Sequence, residues 1–107
     1  MVSWITINTN IVLALGVFVD PPSGQIYVGD QTNNRIVRFD NMSGTNWTTY
    51  STGLNSPAGV FVDLLQRVYV ADRNNNRILR FDDMSGTNLT SLAGSPAFSG
   101  PFGIFVF

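Results

Sequence analysis

The chain has 107 residues, 44% apolar and 12% charged, which suits one modest folded domain and excludes a disordered polyelectrolyte. It holds no cysteine and no histidine, so disulfides, thiol chemistry and the commonest neutral-pH acid–base side chain are all absent. Its net charge is −1, its basic residues are all Arg and its acidic residues all Asp, a balance that argues against a nucleic-acid partner.

Taken in chain order, residues 1–15 open with Trp4 and end in an apolar run that continues to Val19. That run is too short to span a bilayer and lacks a basic leader, so no membrane partner is expected. Trp4 to Gly16 has the spacing of Trp47 to Gly59, which makes residues 1–15 the outer strand of a preceding unit. Residues 16–58 form a first unit and 59–102 a second, while 103–107 read as the first strand of a following one.

Each unit opens on Gly16-Val17-Phe18-Val19-Asp20 or Gly59-Val60-Phe61-Val62-Asp63, apolar at both parities and so predicted to be a strand covered on both faces. Gln25-Ile26-Tyr27-Val28 and Arg67-Val68-Tyr69-Val70 give the second strands, after turn-forming links. A polar connection, Gln31-Thr32-Asn33-Asn34 or Arg73-Asn74-Asn75-Asn76, leads to the third strand, Arg35–Phe39 or Arg77–Phe81. The fourth strands, Trp47-Thr48-Thr49-Tyr50 and Leu89-Thr90-Ser91-Leu92, alternate apolar and hydroxyl residues, as outer strands do. Four short antiparallel strands per unit describe a blade of an all-β propeller.

The longest repeated segment runs from Asn34 to Asn46 and returns as Asn76 to Asn88, with only Val37→Leu79 and Asn41→Asp83 differing. Within it and just before it stand Asp30-x-x-Asn33-Asn34-Arg35-Ile36 and Asp72-x-x-Asn75-Asn76-Arg77-Ile78. With Gly-Val-Phe-Val-Asp and Ile-Tyr-Val-(Gly/Ala)-Asp, this pattern resembles the NHL repeat across essentially the whole chain. The resemblance implies a β-propeller of four-stranded antiparallel blades, of which this sequence holds about two and a half. It also implies a module that binds proteins, peptides, RNA or small molecules. Some members are lyases with metal-bound histidines, a role that cannot carry over without histidine, and the RNA-binding members need a basic face that six arginines phased with seven aspartates do not supply.

Most charged residues recur in phase: Asp20 and Asp63, Asp30 and Asp72, Arg35 and Arg77, Arg38 and Arg80, Asp40 and Asp82. The signature residues Asp30, Asn34, Arg35, Asp72, Asn76 and Arg77 are therefore read as structural, with each Asp facing its Arg across a four-residue turn. Asp20 and Asp63 either cap their own turns or ring a channel mouth that could hold Ca²⁺; the capping reading is preferred. Catalytic residues, metal ligands and cofactors are expected to be absent, because no base is available to activate a serine.

Three N-glycosylation sequons begin at Asn41, Asn46 and Asn88, the last two equivalent and beside the outer strand. They point to an extracellular, secreted glycoprotein. Units of this kind bury their cores only against neighbours, so the expected partners are copies of the chain or further repeats, with a protein or glycan partner besides. The function expected is a non-enzymatic binding and assembly scaffold. The alternative is a structural repeat protein that forms an extracellular filament.

Overall fold

A computed structural model describes residues 11 and 14–92. Within them the chain forms two four-stranded antiparallel sheets. The first holds β1 (Ala14–Val19), β2 (Ile26–Asp30), β3 (Arg35–Phe39) and β4 (Thr48–Tyr50), in that spatial order. The second repeats it with β5 (Pro57–Val62), β6 (Val68–Asp72), β7 (Arg77–Phe81) and β8 (Thr90–Leu92). The expected outer strand ahead of the first sheet and the strand at 103–107 lie outside the described residues.

Both inner strands begin two residues before the expected unit boundaries at Gly16 and Gly59. Backbone pairing reaches back past a bulge in each, to Ala14 opposite Asp30 and Pro57 opposite Asp72. An extra residue there lets the strand bend without losing its ladder.

The register fixes which side chains share a face, because successive residues alternate. In the first sheet Phe18, Tyr27, Ile36 and Tyr50 pack toward the second; in the second Val60, Val62, Val68, Val70, Leu79 and Phe81 receive them. Leu54 and Met84 complete this shared core. Tyr50 and Phe81 lie with ring centroids 4.4 Å apart across the junction. The far face of the first sheet gathers Ile26, Val28, Val37 and Phe39, with Trp47 and Ile11 against them.

Repeat-equivalent residues differ sharply in exposure, and the difference corrects the expectation that both Gly-Val-Phe-Val strands are covered on two sides. Every residue of β5 is buried, whereas Val17 and Val19 of β1 are 69% and 55% exposed against 6% and 3% for Val60 and Val62. The Gly-Val-Phe-Val sequence is the same in both sheets. What differs is the neighbour: the second sheet has the first packed on that face. Burial here belongs to the stack and not to the strand.

Two glycines set how closely the sheets approach. A Cβ at Gly16 would lie 2.1 Å from the Ala58 carbonyl oxygen, and one at Gly29 would lie 2.7 Å from the same atom. No side chain fits either position, so β1 and β2 come against β5 backbone to backbone.

Candidate functional site

The signature residues gather at the end of the sheets where β2 turns into β3 and β6 into β7. In the first sheet the buried Asp30 carboxylate accepts from Arg35 Nε at 2.7 Å and from Asn33 Nδ2 at 3.0 Å. In the second, Asp72 accepts from Arg77 Nε at 2.8 Å and from Asn75 Nδ2 at 2.9 Å. Asn34 and Asn76 sit at φ 54° and 51°, the left-handed region that Asn tolerates better than other side chains. Each of their backbone N–H groups closes its turn onto the residue three before, Gln31 or Arg73. Arg35 also lies over the Trp47 ring, 5.2 Å from its centroid.

The structure adds what spacing along the chain did not show: these groups also hold the linker between the sheets. Asp72 Oδ1 accepts from the backbone N–H of Asn55 at 2.8 Å. The Gly53 carbonyl accepts from both Arg77 Nη2 and Asn75 Nδ2 at 2.9 Å. Asn74 N–H donates to the Asn55 carbonyl at 3.1 Å, and Ser56 N–H donates to Asn34 Oδ1 at 2.8 Å. Residues 51–56 are thus gripped from both sheets. The one sequence signal for this was the polar Asn55-Ser56 ahead of Pro57, an ordered link rather than a flexible one.

At the opposite end, Asp20 and Asp63 turn onto their own hairpins. Asp20 Oδ2 accepts from Ser23 Oγ at 2.6 Å and from Ser23 N–H at 3.3 Å. Asp63 accepts the N–H groups of Leu65 and Arg67, Arg67 Nε at 2.7 Å and the Tyr69 hydroxyl at 3.0 Å. Burial pushes the Asp63 carboxyl upward, but its bonds from Arg67 and Tyr69 together outweigh that and hold it below the usual carboxylate range. Burial raises the Tyr27 phenol, partly offset by its bond to Arg38. Among the described residues no group of three or more His, Cys, Asp or Glu is arranged to hold a metal ion.

All three sequon asparagines are exposed. Asn88 and Asn46 both have left-handed backbone and donate their Nδ2 groups to Asp82 and Asp40, the former at 2.7 Å. Asn41 is held differently, its Oδ1 accepting the N–H and hydroxyl of Ser43. The bond from Asn46, then that from Gln25, lowers the Asp40 carboxyl.

Two successive four-stranded antiparallel sheets, joined by a linker gripped from both, are blades of a β-propeller. Residues 54–81 match the family model of the NHL repeat, from Leu54 in the linker through the end of β7. That stretch is an NHL repeat, and the first sheet carries the same signature in phase at Asp30, Asn34 and Arg35. No curated protein matches the chain.

Proposed function

We propose that the chain is a non-enzymatic β-propeller repeat module, a binding and assembly scaffold whose blades are completed by further repeats or by other copies of itself. The observation that carries this reading is the contrast between Val17 and Val19, exposed, and Val60 and Val62, buried by the neighbouring sheet. Covering such a valine is worth roughly 1.5–3 kcal/mol, so a further blade seated on this face gains what the second sheet gains from the first. A non-catalytic role is supported by the use of Asp30, Asp72 and Asp63 to hold arginines and backbone N–H groups.

The junction inside the chain joins two unlike faces, one aromatic and one rich in valine, so its repetition is head to tail. Such contacts close into a ring or run on as a fibre. The extracellular, N-glycosylated filament is the second reading, favoured by the exposure of Asn41, Asn46 and Asn88. Sedimentation of the purified chain, followed by negative-stain imaging, tests both. Discrete discs support the closed module, filaments support the second reading, and a stable monomer overturns assembly altogether. A mass shift lost on glycosidase treatment marks the secreted form.

A further inference from the structure

From the cavity between the first hairpins of the two blades, we infer a binding site for a small organic cation with an apolar body. The cavity has a volume of about 550 Å³, within the roughly 300–1,000 Å³ range of small-molecule sites. Its walls are largely apolar: Phe18 and Pro21 from the first blade, with Phe61, Val62, Leu64 and Leu65 from the second. The Phe18 and Phe61 rings stand 4.8 Å apart, centroid to centroid. Leu64 and Leu65 are 85% and 72% exposed at the tip of the β5–β6 hairpin, a place where polar residues are usual.

The charge of the site decides the ligand. Three charged residues line it: Asp20, Asp63 and Arg67. Asp63 and Arg67 neutralise one another at 2.7 Å, with the Tyr69 hydroxyl also on Asp63. Asp20 is the repeat equivalent of Asp63, but Gln25 stands where Arg67 does. Among the described residues no arginine pairs with Asp20, although it is only 1% exposed. Its Oδ2 is satisfied by Ser23, but among the described residues its Oδ1 has only Gln66 Nε2 at 3.4 Å, at the far limit of a hydrogen bond. A buried carboxylate without a counter-ion is costly. An ammonium or guanidinium group displacing the exposed Gln66 amide supplies that counter-ion, while the aromatic and leucine walls take its apolar part, the rings adding cation–π attraction.

The site deepens the binding half of the proposed function. It is built from two blades of one chain, so ligand binding and assembly are read separately, and one can fail without the other. The test is equilibrium dialysis of the full chain, in whatever assembly it forms, against three probes of matched shape at pH 7: 4-phenylbutylammonium, 4-phenylbutanol and 4-phenylbutyrate. The ammonium is expected to bind about fivefold more tightly than the alcohol, the return from one partly screened ion pair, and the carboxylate most weakly. Asp20→Asn is expected to bring the ammonium down to the alcohol's affinity. Gln66→Gly removes the competing amide at a left-handed residue that glycine accommodates (φ 66°), so it keeps the fold and tightens ammonium binding. Should Asp20→Asn not fold, the Gln66→Gly arm decides. Equal affinity for the three probes, no saturable binding, or a Gln66→Gly variant with no change in ammonium affinity overturns the proposal.

Discussion

The Asp72 carboxylate accepts the backbone N–H of Asn55, seventeen positions earlier, at 2.8 Å, while its other oxygen takes Arg77 and Asn75. One buried side chain thereby ties a blade's turn to the linker that delivers the chain into that blade. The signature is a device for joining blades as much as for shaping a turn. Its removal is expected to loosen the junction and not only the hairpin.

Asp72→Ala is expected to destabilise the chain by about 3 kcal/mol, because it strands the Asn55 N–H and leaves Arg77 without its carboxylate. Arg77→Lys is a milder probe, expected to cost about 1 kcal/mol, since an ammonium cannot reproduce the planar fork that serves Asp72 and the Gly53 carbonyl together. Urea denaturation at fixed protein concentration gives both values. A cost for Arg77→Lys equal to that for Asp72→Ala would count against this division of labour.

Gly16→Ala and Gly29→Ala are expected to cost about 2 kcal/mol or more each, since both methyl groups run into the Ala58 carbonyl, a backbone atom that cannot swing aside. The exposed turn residue Gly24, with open space around its Cβ position but φ 73°, serves as a control in which only local strain is added. Thermal melting of the three variants should rank Gly16→Ala as the most damaging.

Val17→Asp and Val60→Asp change the same residue of the repeat and are expected to act in opposite ways. Val17 is exposed within the chain, so its substitution should leave the fold and abolish assembly. Val60 lies in the shared core, so an unpaired carboxylate there should unfold the blade pair. Sedimentation and far-ultraviolet circular dichroism together separate the outcomes. Unchanged assembly in Val17→Asp would remove this face from the contact.

Acid should weaken the Asp63 hairpin. The folded-state pKa of Asp63 is depressed, so its contribution is fully present above the unfolded value of about 3.9. That contribution disappears as pH falls through the lower folded value. Asp63→Asn is expected to lower the midpoint at neutral pH and to flatten part of the decline below pH 4. Midpoints followed in steps from pH 7 to pH 2 check this, and a parallel decline in both proteins would contradict it.

The fold was readable because it is periodic. Tyr27 and Tyr69, or Phe39 and Phe81, return in phase, and residues that repeat occupy equivalent places. The Asp30–Arg35 and Asp72–Arg77 pairs were readable for a related reason, since their partners flank one short turn. The grip of Asp72 on Asn55 and of Arg77 on Gly53 was not, because the linker's path is set by how two sheets pack and leaves no periodic trace. Nor did Gly16 and Gly29 announce their role, as the absence of a side chain names no neighbour. The unequal exposure of Val17 and Val60 is beyond any reading of the strand, whose Gly-Val-Phe-Val segment is identical in both copies.

Ala71 occupies in the second blade the place that Gly29 holds in the first, and it is fully buried. The methyl that has no room at Gly29 is built into the second blade at Ala71, so a neighbour on that face meets a side chain where β5 meets bare backbone. A further blade in that place would have its spacing set by a methyl group, unlike the approach that Gly16 and Gly29 allow at the first junction.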